Sequence, residues 1–541
     1  MIVPSRFYAL LTCVLVFLAS LALTPMFFWC APILVVSALL TLIGVWDLIQ
    51  TRHSIRRNYP LLAHFRFMAE YIRPEIRQYF IESDKEAAPF SRNQRSIVYQ
   101  RAKRQLDKRP FGTTEDVYMP GFEWMNHSMA PTRVTTSDYR IQIGKTKDGE
   151  PKPGVTQPYA ASVFNISAMS FGALSANAIK ALNEGARRGG FAHDTGEGSI
   201  SVYHREMGGD LIWEIGSGYF GCRTADGQFS EEQFVINARE PQVKMIEIKL
   251  SQGAKPGHGG VLPAAKVSPE IARARGVALG QDCVSPALHS AFSTPIELLQ
   301  FVERLRHASG GKPVGFKLCI GHPWEFFAIA KAMLQTGITP DFIVVDGKEG
   351  GTGAAPVEFS DHVGTPLQEG LQLVHNTLVG LNLRDQIRIG ASGKIITAFD
   401  IARTMALGAD WCNSARGFMF AIGCIQSQSC HTDHCPTGVA TQDPLRQRAL
   451  VVPDKAERVF QFHRQTLAAL AELVAAAGLL HPNEISPDHI VRRVSSNDVR
   501  LLSTLANFIT PGSLLEDRFE QAVFKVYWPK ARAESFAAAA A

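Results

Sequence analysis

The sequence predicts an α/β protein built on a (β/α)8 TIM barrel, with an N-terminal transmembrane helical hairpin and helical N- and C-terminal extensions. Three observations carry this. From residue 160 onward, short β-branched or apolar runs alternate with amphipathic helical stretches, the mark of a parallel sheet with crossover helices. The runs are almost continuously apolar, as strands buried on both faces are. The stretch 160–445, about 285 residues, is close to the ~250 of a barrel plus insertions. A doubly wound open sheet is the alternative, but no G-x-G-x-x-G follows a first strand.

The 541 residues are 46% hydrophobic and 19% charged, with mean hydropathy 0.00. That excludes a disordered chain, a collagen-like fibre, a disulfide miniprotein and a multi-span transporter. The formal net charge of +5 is unevenly spread. Between Arg52 and Arg109 there are 14 Lys/Arg against 6 Asp/Glu, whereas Arg6 and Asp47 are the charges before them.

The elements come in order. Phe7–Thr24 and Met26–Trp46 are uncharged runs, and a membrane helix needs roughly 17–25 apolar residues. Thr24-Pro25 is a turn signal between them. A cleaved signal peptide is the competing reading of the first run. Against it stand an n-region with Arg6 alone and a second span immediately after the first. Residues 1–50 are therefore expected to form two membrane helices. Arg52, Arg56, Arg57, Arg66, Arg73 and Arg77 come after the second run. Basic residues near a span mark the cytoplasmic side and suit anionic headgroups. No recognition motif accompanies them, so nucleic acid is not an expected partner. Residues 51–159 are expected to form a basic juxtamembrane helical segment, broken by Pro74 and Pro89, and a turn-rich connector. The expected strands of the 160–445 barrel are 162–167, 245–250, 314–320, 341–347, 386–393 and 409–417. ANAIKALNEGARRG and TAFDIARTMALG are crossover helices. Residues 446–541 are a C-terminal extension. It opens with the helix ERVFQFHRQTLAALAELVAAAG and ends in FAAAAA, expected to fray.

In a barrel, function collects where strands end. The loops Ala391–Lys394 and Trp411–Gly417 come after consecutive late strands and carry small residues, which let backbone N–H groups close on a phosphate. The pair points to a phosphate-bearing cofactor. Glu349-Gly350-Gly351-Thr352-Gly353 is either a tight turn or a backbone surface under something flat. Lys317, in an apolar strand, either pairs inside the barrel or points outward to the helix layer. Lys255, Lys266 and Arg273 lie in and beyond the loop 252–267; they suit a dicarboxylate, or else are solvated charge. Cys424, Cys430 and Cys435, with Pro436 next, crowd into one loop. In a cytoplasmic body such a cluster reads as an iron–sulfur site, a zinc site completed by His431 or His434, or free thiols.

The blocks SAMSFGALS (167–175), DTGEGS (194–199), KLSQGAKPGHGG (249–260), DGKEGGTGAAP (346–356), IGASGK (389–394) and CHTDHCPTGVATQD (430–443) together resemble the FMN-binding synthase domain of glutamate synthases, here in a membrane-anchored, stand-alone form. The resemblance covers about residues 160–445 and implies a (β/α)8 barrel, FMN and a [3Fe–4S] cluster on Cys424, Cys430 and Cys435. It implies that FMN rests on Ser167, Ala168, Met169 and Ser170, on Lys317, and on Gly350, Gly351, Gly353, Gly393, Ala415, Arg416 and Gly417. Glu197 and Lys255 take the catalytic places, and Lys255, Lys266 and Arg273 the substrate side. The implied reaction reduces the imino acid formed from 2-oxoglutarate and ammonia to glutamate.

Two departures stand out. His258 replaces an acid and Val261 a glutamine of the family's usual loop, PGEGGQLPGHKV, which puts strict 2-oxoglutarate use in question. No segment resembles a glutaminase or a nicotinamide-binding domain. Ammonia, another amine or a separate subunit is expected to supply nitrogen, and a ferredoxin or a membrane redox carrier the electrons. An N-substituted glutamate synthase or other amine/imino-acid oxidoreductase, and a non-catalytic membrane redox relay, are the alternative functions. The expected location is a bacterial-type inner membrane, with two spans and a cytoplasmic body.

Overall fold

The computed structural model describes residues 4–86 and 88–539. The chain forms two compact units, divided between Arg92 and Asn93.

The first unit consists of a helical hairpin and a shorter helical segment after it. Helices α1 (Tyr8–Leu23) and α2 (Ala31–Ile49) are long and apolar enough, with their preceding 3-10 turns, to cross a bilayer. Small residues bring them together. Ser20 and Ser37 hydroxyls lie 3.4 Å apart, and a Cβ at Gly44 would run into Leu10. Most of the remaining apolar side chains face outward. The buried Asp47 ends the hairpin, accepting from the Leu61 N–H at 3.0 Å and pairing with His64 at 2.9 Å. The helix Leu62–Ile76 contains Pro74, expected as a break, and passes into a wider π turn at Arg77–Ile81.

The second unit is a closed barrel of eight parallel strands: β1 (Phe164–Ile166), β2 (His193–Asp194), β3 (Leu211–Ile215), β4 (Val243–Lys249), β5 (Val314–Leu318), β6 (Phe342–Asp346), β7 (Arg388–Ser392) and β8 (Trp411–Ser414). Neighbours pair in chain order, and β8 closes on β1 with Cys412 beside Phe164 and Ser414 beside Ile166. Six of the eight are those expected from apolar runs. The two missed have visible reasons: β2 is two residues long, and Glu214 interrupts the apolar run of β3.

The helices that return the chain are set by local signals. Helix α3 (Ala176–Gly189) is capped by Ser175 accepting from the Ala178 N–H and ends at Gly190 with φ 64°. A capping box, Thr294/Glu297, starts α4 (Pro295–Ala308). Helices α5 (Pro323–Thr336) and α6 (Leu367–Gly380) come after β5 and β6. Another capping box, Thr397/Asp400, starts α7 (Ala398–Ala406). The long helix α8 (Val452–Ala476) packs on α3, where a Cβ at Gly185 would sit 2.5 Å from Val459.

Outside the strands, rings stack on the helix layer: Trp213 on Phe234 at 5.4 Å and Phe164 on Phe418 at 5.3 Å. Across the sheet, glycines face rings. A Cβ at Gly390 would lie 2.5 Å from the Trp411 indole, and one at Gly315 would lie 2.6 Å from the Phe342 ring. At the N-terminal end of β6 the buried Asp341 accepts from the Val314 N–H at 2.8 Å and pairs with Arg306 at 3.0 Å and Lys152 at 3.3 Å.

The extensions are not purely helical. Glu123–Met125 in the connector pairs antiparallel with Ile490–Arg493, which pairs in turn with Val499–Leu501. Arg140–Ile143 forms a ladder with Tyr159–Ser162. These strands are three or four residues long, too short for a period to show. Near the C-terminus the Ala539 N–H donates to the Lys530 carbonyl at 2.8 Å. The chain is thus tied down to there, and Ala540 and Ala541, part of the stretch expected to fray, lie outside the described residues.

Gly315→Ala and Gly390→Ala should each cost about 1–3 kcal/mol by overpacking the barrel. Gly321→Ala, whose Cβ meets nothing closer than the Glu325 carboxylate at 3.6 Å, should stay within ~0.5 kcal/mol. Thermal unfolding of the detergent-solubilised chain tests the contrast.

Candidate active site at the C-terminal mouth of the barrel

The loops that leave β1, β2, β6, β7 and β8 converge at one end of the barrel. After β1, the Ser167 N–H donates to the Ser414 carbonyl at 3.1 Å, tying Ser167–Ser170 to the end of β8. Gly196, with φ 63°, lets the loop after β2 close on them, since a Cβ there would lie 2.7 Å from the Ser170 nitrogen. After β6, Arg416 donates to the Thr352 carbonyl at 2.9 Å and lies against Gly351, while Gly353 faces open space. Gly393 packs against Glu349, which holds the Leu367 N–H at 3.0 Å. The Ser414 hydroxyl donates to the Ile395 carbonyl at 2.6 Å, and Gly417 leaves it room. The structure thus gathers Ser167–Ser170, Gly350–Gly353, Gly393 and Ala415–Gly417.

Lys317 points into the barrel rather than toward the helices. Its ammonium contacts Glu214 and lies 3.3 Å from Glu247 Oε1. Neither Glu247 oxygen accepts a hydrogen bond among the described residues, so that pairing is electrostatic. Asp194, Glu214 and Glu247 each bring an oxygen within 4.8 Å of the others. Burial pushes the Asp194 carboxyl up to about 7, with Glu214 adding to the rise, and burial likewise holds Glu247 well above the usual range. Burial opposes the charge on Lys317, but Glu214, Glu247 and Asp194 outweigh it and hold the amine protonated.

Beside this lies a second charged group. Glu197 pairs with Lys249 at 3.1 Å. Gly260, on the loop 252–267, stands where a Cβ would strike the Glu197 carboxylate. Burial would raise this carboxyl, yet Lys249, then Arg275 and Lys255, hold it below the usual range. Lys255 is buried, which lowers its amine, while Glu197 works the other way.

The three cations named together from the sequence part company. Lys255 is close enough to Glu197 for each to shift the other. Lys266 turns into the cysteine loop, donating to the Cys430 carbonyl at 2.7 Å and the Ala440 carbonyl at 3.1 Å. Arg273 is exposed on the helix Pro269–Arg275. The buried arginine is Arg275, opposite Arg273 on that helix, donating to Ser170 Oγ at 3.3 Å and the Phe171 carbonyl at 3.1 Å. The i, i+4 spacing of Ile271 and Arg275 was the signal for it. His258 takes its neighbour's carbonyl at 2.7 Å and meets Phe359 edge-on. Val261 pairs with Val284 in a two-residue ladder.

Cys424, Cys430 and Cys435 are free thiols on a tight loop in which Gln426, Gln428 and Asp433 have positive φ. Burial pushes Cys424 up to about 11, with Cys430 and Cys435 adding their charge. Against burial, the Thr437 hydroxyl and the N–H groups of Ala440, Thr437 and Val439 hold Cys435 below the usual thiol range. Three thiols near enough to feel one another's charge, one of them cradled by N–H donors, fit an iron–sulfur cluster bound through thiolates.

Residues 102–480 match the family described as a conserved region in glutamate synthase. The chain belongs to the glutamate synthase family. It is 39% identical over 488 residues, 83% of this chain and 92% of the relative, to the glutamate synthase large subunit-like protein YerD of Bacillus subtilis. It is 35% identical over 304 residues to an archaeal-type glutamate synthase [NADPH] of Thermotoga neapolitana, covering 56% of this chain and 57% of that one. The glutamate synthase [NADPH] large chain of B. subtilis is 34% identical over 290 residues, 51% of this chain and 18% of that one. Among solved structures, a flavocytochrome b2 mutant with pyruvate bound aligns at TM-score 0.42 and 13% identity, covering 85% of this chain and 91% of that one.

The folded-state carboxyl of Glu197 lies below its unfolded value of about 4.5. Its ionised form therefore contributes stability above that value, which is lost as pH falls through the lowered one. The melting-temperature difference between wild type and Glu197→Gln should move against the wild type as pH drops from 6 to below about 4.

Proposed function

We propose that this member of the glutamate synthase family is a membrane-anchored FMN- and [3Fe–4S]-dependent oxidoreductase that reduces the imino acid formed from 2-oxoglutarate and ammonia to glutamate. The observation that carries the reading is the grouping of Glu197, Lys249, Lys255 and Arg275 beside the glycine-rich loops, in a chain that matches the family over residues 102–480. The residues fit the two groups the family implies. Lys317 and the loops Ser167–Ser170, Gly350–Gly353, Gly393 and Ala415–Gly417 would hold FMN, and the three cysteines the cluster. When bound, the cluster supplies single electrons and the flavin a hydride equivalent.

The protein's own residues do the rest. Lys255 and Arg275 hold the carboxylates of the keto acid by charge-assisted hydrogen bonds. Glu197, ionised at neutral pH, takes a proton from the incoming ammonium and frees its lone pair for attack on the keto carbon. Gly260 and the loop 252–267 lie over Glu197 and exclude water from this step. Lys317, protonated, places a fixed positive charge where negative charge develops on reduction. The hairpin α1–α2 tethers this body to the cytoplasmic face of a bacterial-type inner membrane. A ferredoxin or a membrane carrier feeds it electrons.

A second reading has its own support. Val261 stands where the family has a glutamine, which leaves an apolar wall in the substrate loop, and this favours an N-substituted amine over ammonia. Purified protein should carry flavin absorbance and iron, and Lys317→Met should lose flavin. Reduced protein mixed anaerobically with 2-oxoglutarate and ammonia should reoxidise its flavin. Reoxidation with 2-oxoglutarate plus methylamine but not with 2-oxoglutarate plus ammonia selects the second reading, and reoxidation with neither amine removes both.

A further inference from the structure

The substrate loop and the cysteine loop are joined by one buried cation. Lys255 lies near the start of the loop 252–267, where Glu197 opposes the lowering of its amine by burial. Lys266, at its end, is held by a 3-10 turn, Ala264–Lys266, and its N–H donates to the Pro263 carbonyl at 2.8 Å. Lys266 is 3% exposed, with its ammonium on the carbonyls of Cys430 at 2.7 Å and Ala440 at 3.1 Å. Both acceptors are neutral. Burial lowers its amine, with Asp433 and then Cys430 and Cys435 working the other way, and Asp433 already accepts from the Gln442 N–H at 2.7 Å.

An ammonium removed from water and given only neutral acceptors is costly to bury. Three protonated thiols would offset little of that. Thiolates around an iron–sulfur core would offset much more, because they add negative charge within the same loop. The charge also acts in the other direction. One-electron reduction of such a cluster adds one negative charge, and a fixed cation beside its ligands stabilises the reduced form more than the oxidised one. Burial keeps salt from screening the effect.

We propose that Lys266 is a positioning residue for the cluster: it holds the Cys430–Ala440 segment by its carbonyls and its charge sets the cluster's reduction potential above that of an uncompensated site. The inference rests on the reading of Cys424, Cys430 and Cys435 as cluster ligands. It also gives the loop 252–267 two ends, one against the substrate side and one against the electron-entry side.

The test uses the full chain, detergent-solubilised with its cofactors, titrated with dithionite while the cluster is monitored by electron paramagnetic resonance. Lys266→Gln keeps a donor for the two carbonyls and removes the charge. It should retain iron and show a lower cluster potential, with the flavin midpoint in the same sample unmoved. Lys266→Arg should titrate like the wild type. An unchanged potential in Lys266→Gln overturns the proposal, as does an equal fall in Lys266→Arg. Loss of iron from Lys266→Gln also overturns it, by making the residue one of assembly alone. Wild-type protein without iron refutes the cluster reading instead.

Discussion

Pairing of β8 with β1 joins the first and last strands of the sheet, and the site depends on that closure. It puts the Ser167–Ser170 turn against the end of β8, where the Ser167 N–H finds the Ser414 carbonyl. It also decides where the cysteines go. They leave β8 through the short helix Arg416–Ala421, so closure brings their loop back beside the loop after β1. There Gln442 donates to the Gly172 and Leu174 carbonyls at 3.1 and 3.0 Å, and the Ser175 N–H to the Val439 carbonyl at 2.9 Å. An open sheet with the same strands would leave these loops at opposite edges.

Closure also creates an interior, and this interior is unusually charged. Rings and glycines fill part of it, where Phe342 and Trp411 meet at 5.9 Å. Toward the C-terminal end come Asp194, Glu214, Glu247 and Lys317; below the strands, at the N-terminal end of β6, the buried Asp341 is held by Lys152 from the connector and Arg306 from α4. Buried ions of this kind are poor sources of stability, because desolvation consumes most of the Coulombic gain. Their effect is to put a defined charge at a defined depth. With three carboxyls to one ammonium, protons must remain in the cluster at neutral pH, as the raised Asp194 and Glu247 reflect.

The candidate site divides its charges between two walls. Asp194, Glu214, Glu247, Lys249 and Lys317 come from the strands, whose backbone holds them rigidly, and Glu197 from the loop after β2. Lys255, Lys266 and Arg275 come from the loop 252–267 and the helix after it. That segment touches Glu197 through Gly260, Ser170 through Arg275 and Cys430 through Lys266. One loop therefore touches both the Glu197 group and the cysteine loop.

Much of this was legible in the chain. Apolar runs separated by amphipathic helices identified six strands and the barrel. Glycine-rich turns and the cysteine spacing singled out loops that the structure brings to one end of the barrel, because backbone freedom and thiol chemistry are properties of residue type. Two short strands, the sheet Glu123–Met125 makes with Ile490–Arg493, and Asp194, Glu214, Glu247 and Lys249 as members of charged clusters were not legible. A two-residue strand has no period, and a carboxylate in a strand reads the same whether it meets water or a lysine from another strand. Arg273 and Arg275 differ by two positions in sequence and by opposite faces of a helix in space, so only packing chose between them. Sequence alone determined six of the barrel strands, the crossover helices and the residue types that the loops carry. Tertiary structure decided which charges meet, because burial and ion pairing depend on distances that barrel closure sets.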